Sequence, residues 1–363
     1  MNFFHQKYSI DRGGFMFRRC TCAAVMLIAL LSFSGCELPF DLPFDLPGAG
    51  TASQQPGSGQ AASEGAQAQP LEDGGGAVGQ GTPRPVTPAS MARVPQTGTN
   101  SISQGGATVD ISNTSSGYFM VRFDGNVSRF VVRVEHSAAQ QPCDFHMRPS
   151  SWETVPLTHG NGTYTVTVLE HVADGMFAVT LTTTIDVSMS DPFLPWLYPN
   201  QFVNFTPQTN AVLEAERLAQ GAFSELDVVR AVYNFVITHI TYDHAFAQGV
   251  TSGTITEYLP DLDDILSRGT GICFDYAAVM AAMLRAQNIP TRLEIGFVSG
   301  GVFHAWVTVH TEEHGWVGVA EFASGANWTL MDPTFSASAG GQGGQDLAAF
   351  IGDGTNYQTV FRR

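Results

Sequence analysis

From Gly48 to about Gly106 the chain is built almost wholly of Gly, Ala, Ser, Gln, Thr and Pro. Such a stretch cannot bury enough apolar surface to offset the entropy lost on ordering. It therefore divides the 363 residues into parts that can fold and a part that cannot. Just before it, "ELPFDLPFDLPGAG" repeats Leu-Pro-Phe-Asp over too short a length to fold alone. The run from Cys36 to residue 106 is accordingly expected to be a disordered tether. At about 5–6 Å × √n, roughly 70 flexible residues have a typical reach near 45 Å. The rest can support a core, because hydrophobic residues make up 44% of the chain and 25 of them are Phe. The formal net charge of -16 argues against non-specific nucleic-acid binding, which needs a basic face.

The N-terminus reads as an export signal over residues 1–35. "MFRRC" at 16–20 supplies a start-like Met and two arginines, and "TCAAVMLIALLSFSGC" follows as an apolar stretch ending in small residues. A cationic region, a short apolar region and a small-residue cleavage site make a secretory signal. The apolar run, about 14 residues, falls short of the ~20 that a membrane-spanning helix needs. Ending on "FSGC", it resembles a bacterial lipoprotein signal, in which cleavage leaves Cys36 to be lipidated; Phe33 stands where the usual pattern has Leu. Cleavage would leave 13 basic and 32 acidic residues, a net of -19, and no lysine, since Lys7 is the only one. Anionic headgroups would repel such a surface, so attachment would depend on the acyl chains. The expected location is the outer face of the cell membrane.

Two foldable parts remain. Over 107–190, "ATVDISNTSSGYFMVRFDG", "SRFVVRVEH", "GTYTVTVLEH" and "GMFAVTLTTTIDV" alternate or are rich in β-branched residues, separated by Gly, Asn and Asp. They predict antiparallel strands of a small sandwich. The second part is expected over 191–363. "NAVLEAERLAQG" and "SELDVVRAVYNFVITHI" predict helices, the second with Ser224 as N-cap and an apolar stripe through Val228, Val229, Val232, Phe235 and Val236. Asp275 to Asn288 predicts another helix, ended by Pro290, and four extended stretches follow.

Cys273 opens that last helix, after Gly269 and Gly271. A helix start offers unpaired N–H groups and the positive end of the helix dipole, and both favour thiolate, the nucleophilic form. A nucleophile also needs a base and a group to orient the base. His304 lies in the alternating stretch "VFHAWVTVH", and Asp332 ends another strand in "MDPTF". Cys143 and Cys273 could instead form a disulfide in an exported protein, which would remove the nucleophile. No CxxC or HExxH occurs, so no metal or cofactor is expected.

"GTGICFDYAAVMAAMLRAQNIPTR", "HAWVTV", "GW" and "WTLMDPTF", with His304 31 residues after Cys273 and Asp332 28 after His304, resemble the transglutaminase-like superfamily. The upstream "ITYD" at 240–243 fits it too, and the resemblance covers about 210–335. It implies an α+β fold: a papain-like core of N-terminal helices and an antiparallel sheet, here preceded by the β-sandwich. It also implies roles: Cys273 as nucleophile, His304 as base, Asp332 as its orienter, and the Cys273 N–H as one oxyanion donor. Tyr242 is the candidate second donor, with an ordinary core role as its alternative. Trp306 and Trp328 are expected to pack around the site. The long "TEEHGWVGVAEFASGAN" departs from the pattern and leaves the shape of the cleft open.

Such a triad transfers an acyl group from an amide through a thioester to water or an amine. The leading expectation is a lipid-anchored, extracytoplasmic acyl hydrolase or acyltransferase acting on protein or peptide amides, cell-wall peptides among them. Protein-glutamine cross-linking is one alternative. A catalytically inert surface binding or scaffold module is the other.

Overall fold

The computed structural model describes residues 82–139, 141–149, 151–173, 176–255, 258–298, 302–318, 321–324, 327–330, 334 and 357–363. The expected signal segment, Cys36, the tether up to residue 81 and Asp332 lie outside the described residues.

The first eight strands are β1 (Ser101–Gln104), β2 (Ala107–Asp110), β3 (Tyr118–Phe123), β4 (Phe130–His136), β5 (Cys143–Met147), β6 (Glu153–Pro156), β7 (Gly162–Ala173) and β8 (Met176–Val187). They make two four-stranded sheets, ordered β1-β2-β3-β6 and β5-β4-β7-β8, with every pairing antiparallel. The period-2 pattern decides which side chains go inside. On β7, Tyr164, Val166 and Val168 are buried while Thr163, Thr165 and Thr167 are not. Val109, Phe119 and Val121 of one sheet meet Val132, Phe145 and Leu181 of the other in one hydrophobic core. Full burial of each such side chain is worth about 1.5–3 kcal/mol.

The tether expectation fails over 82–106. Arg84 N donates to Ala222 O at 2.7 Å, and Thr87 exchanges hydrogen bonds with the Gln287 side chain at 3.1 and 2.9 Å. Ala89 N donates to Glu216 Oε2 at 2.7 Å, and Gly98 N to Asp110 Oδ2 at 2.6 Å. The segment then becomes β1, so the first sheet starts at 101, before the expected 107. Its composition offers little to bury beyond Ala89 and Ala92, and its backbone is ordered largely by hydrogen bonds to other parts of the chain. A compositional argument does not see those partners.

The second part begins with helices α1 (Asn210–Leu218), α2 (Glu225–His239), α3 (His244–Thr251), α4 (Leu262–Arg268) and α5 (Cys273–Ala286). Short strands β9 (Thr241–Tyr242) and β10 (Thr270–Gly271) pair in parallel between them. Next come β11 (Thr291–Val298), β12 (Val302–Thr311), β13 (Gly315–Gly318), the hairpin of β14 (Glu321–Ser324) and β15 (Asn327–Leu330), and β16 (Gln358–Arg362). The sheet order is β13-β12-β11-β16, again all antiparallel. Ser224 caps α2 as expected: its hydroxyl accepts from Asp227 N, and the Asp227 carboxylate accepts from Ser224 N at 2.9 Å. Every residue of α5 from Phe274 to Ala286 is buried, which suits a helix apolar nearly all round. It packs against α1, α2, β11 and β12.

The two parts also touch. Within the second part, buried Arg285 of α5 donates to the main-chain oxygens of Thr291, Tyr198 and Arg363 at 2.9, 2.9 and 2.6 Å, which fixes Arg363. The Arg363 guanidinium lies over Phe145 and Phe202 and reaches Cys143 Sγ at 2.6 Å. One apolar cluster contains Phe145, Phe202, the α5 residues and Val307 alike.

Candidate active site

α4 ends at Arg268, and Gly269 then adopts a left-handed φ of 63°, the usual glycine solution at a helix C-terminus. That turn sends the chain into β10. Thr241 N donates to Gly269 O at 2.8 Å and Asp243 N to Gly271 O at 2.9 Å, fixing the strand before Cys273 from both ends. Ile272 is the extended N-cap, and Cys273 is the first helical residue. The amides of Asp275 and Tyr276 bond to Ile272 O. Helix geometry leaves the first N–H groups, Cys273 among them, without acceptors inside the helix.

Cys273 is half-buried with a free thiol, whereas Cys143 is buried; the two are not bridged. Tyr242 stands in register with Gly271, two residues before Cys273. Its ring lies 4.9 Å from that of His244 and 6.5 Å from that of Tyr276, whose hydroxyl donates to Ile240 O at 2.6 Å. Tyr242 therefore borders the Cys273 turn and also packs on the core.

His304 is buried on β12, stacked 6.2 Å from Trp306, which is itself buried beside Tyr357 at 4.9 Å. His304 pairs with Gly296 of β11. A Cβ at Gly296 would fall 2.0 Å from Gln358 O, so glycine there lets β16 close on β11. α5, which Cys273 opens, packs on β12, which carries His304. Asp332 and the Trp328 side chain fall outside the described residues. Among the described residues, no group of three or more metal-ligating side chains converges.

Sequence reasoning passed over Asp275, which has no exposed surface. Its carboxylate accepts from Ile272 N at 2.8 Å and from the Tyr258 hydroxyl. Arg268 Nη2 lies 3.7 Å from it and 3.3 Å from the Tyr258 hydroxyl. Burial pushes the Asp275 pKa up to about 6, opposed by the Tyr258 and Ile272 hydrogen bonds and by Arg268, and aided by Asp243. The sequence signal was an acid at the third helical position with an apolar N-cap, half of a capping box.

The family model of the transglutaminase-like superfamily matches residues 214–320. No curated protein matches the chain. Solved structures similar to it include a protein named TGase, at 24% identity over 34% of this chain and 29% of that one, with a TM-score of 0.23. A candidate cysteine protease from Cytophaga hutchinsonii is 15% identical over 60% of this chain and 78% of its own, with a TM-score of 0.29. Red sea bream transglutaminase is 13% identical over 60% of this chain and 48% of its own, with a TM-score of 0.27. The chain thus spans less than half the length of the two transglutaminase structures. Residues 214–320, which hold Tyr242, Cys273 and His304, form a transglutaminase-like superfamily domain.

Proposed function

We propose that the chain is a lipid-anchored, extracytoplasmic cysteine acyl hydrolase or acyltransferase that acts on protein or peptide amides, cell-wall peptides among them. The observation that carries this reading is Cys273: a free, half-buried thiol at the first position of a helix whose other residues are all buried. The family match spans both Cys273 and His304.

In the proposed reaction the Cys273 sulfur attacks the amide carbonyl carbon while His304 takes the thiol proton. The oxyanion is held by the Cys273 N–H and the Tyr242 hydroxyl. The C–N bond breaks as His304 returns the proton to the leaving amine, and a thioester remains. Water, deprotonated by His304, then adds to the thioester, and the acid leaves as Cys273 regains its proton. Asp332 keeps the His304 ring oriented. An amine in place of water would give a cross-link. The absence of lysine after Lys7 means that any lysine acceptor comes from another molecule, which favours hydrolysis.

The test is labelling by a thiol-directed amide mimic, followed by mass spectrometry of surface proteins incubated with the enzyme and a labelled primary amine. Labelling lost in Cys273→Ala, together with peptide cleavage, supports the reading. Amine incorporation at glutamine without cleavage replaces hydrolysis by cross-linking. An accessible Cys273 with neither product replaces both by an inert binding module. The anchor has its own test: labelled palmitate should enter the wild type and not Cys36→Ser.

A further inference from the structure

We propose that Asp275, with Tyr258 and Arg268, is a positioning clamp for Cys273, separate from the triad. This rests on Cys273 being the reacting thiol, and it deepens that reading.

The geometry is a closed loop around one residue. Asp275 sits on the first turn of α5 and reaches back across Cys273 to hold Ile272 N at 2.8 Å. Its other oxygen accepts from the Tyr258 hydroxyl. Tyr258 precedes α4, and its ring packs 4.8 Å from Phe246 of α3 and 6.4 Å from Phe274 of α5. Arg268, the last residue of α4, touches the Tyr258 hydroxyl and lies near both Asp275 and Asp264. Three elements therefore converge on a carboxylate one residue beyond Cys273's neighbour. The space is filled from the other side too. A Cβ on Gly271 would lie 2.7 Å from Asp275 Cβ and 2.8 Å from its Oδ2. Gly271 has no left-handed φ to require glycine. What glycine provides at this position is room for the carboxyl group.

A buried carboxylate is an expensive way to cap a helix, because an exposed Ser or Asp at the N-cap does the same for the backbone. What this arrangement adds is a fixed path for the Ile272–Cys273 backbone, and hence for the sulfur and for the Cys273 N–H. A nucleophile displaced by about 1 Å can lose on the order of 100-fold in rate.

The test uses the full chain with three variants: Asp275→Asn, Tyr258→Phe and Gly271→Ala. Each is scored by the rate of Cys273 alkylation with iodoacetamide, by melting temperature, and by kcat and KM on a peptide amide that the wild type cleaves. Asp275→Asn and Gly271→Ala should each slow Cys273 alkylation and kcat by roughly tenfold or more with KM little changed, as expected for lost positioning. Tyr258→Phe should give a smaller loss in the same direction. The melting temperature of Asp275→Asn at pH 7.5 should not fall. A melting temperature that drops in step with alkylation would make Asp275 an ordinary structural residue and overturn the clamp, as would unchanged alkylation in both Asp275→Asn and Gly271→Ala. A wild type that cleaves no amide, with alkylation still slowed by these variants, would keep the clamp and reject the catalytic reading.

Discussion

The Asp275 carboxyl group sits where its charge is opposed: burial raises its pKa from 3.8 to about 6 despite hydrogen bonds from Tyr258 and Ile272 and the nearby charge of Arg268. Asp243 adds repulsion, and Asp264 shares Arg268. A raised carboxyl pKa reverses the common sign for acids. Between about pH 4 and 6 the native state holds more protons than the unfolded chain, so stability falls as pH rises through that window. Above it the charged group costs about 3 kcal/mol, two pKa units at ~1.4 each. Asp275→Asn should therefore flatten the pH dependence of melting temperature between pH 4 and 6; a slope equal to wild type would refute the assignment. The cysteines differ at the same scale. Cys273 is half-buried, and Cys143 is 8% exposed beneath Arg363. In the native protein iodoacetamide should modify Cys273 first, by at least about tenfold, because alkylation needs an accessible sulfur. Peptide mapping over time checks this, and equal rates would count against a special Cys273. The sequence pointed to Cys273, because a helix start after two glycines is a local signal. Asp275 was overlooked, because the burial that makes it unusual comes from Tyr258 and α4.

Elements that were legible in advance are those whose cause is local. The α2 capping box at Ser224 and Asp227 is written within four residues. Ser224→Ala should lower stability by about 1 kcal/mol in urea titrations and leave any amidase activity intact. The end of α5 was nearly legible as well. Pro290 was expected to stop it, and the helix ends at Ala286, with Asn288 taking a left-handed φ of 56°. Gly296 is the contrary case. Nothing around it distinguishes it from other strand residues, yet it faces Gln358 O from β16, far along the chain. Gly296→Ala should push β16 off β11 and cost roughly 1–3 kcal/mol, as overpacking does. It should also lower activity, since His304 is its cross-strand partner. A stable, fully active Gly296→Ala would show that β16 does not pack as described.

At the scale of the molecule, the boundary of the folded part moves from the expected 107 to at least 82, because residues 82–106 are bound by Ala222, Gln287, Glu216 and Asp110. Limited proteolysis should leave residues 82–106 uncut and attached to the folded part. A fragment starting near 107 would mean that residues 82–106 come away in solution. The α+β class, the long strands β3, β4, β7 and β8, and the helices α1, α2 and α5 could be read from the sequence alone, whereas β5, β6, α3 and α4 were not. Their causes are periodicity, caps and short motifs, all of which act between near neighbours. Tertiary structure alone decided three things: the ordered path of 82–106, the packing of Arg363 between the two parts, and the burial of Asp275. Each depends on groups more than ten residues apart, whose meeting is set by the whole fold and leaves no periodic trace in either segment.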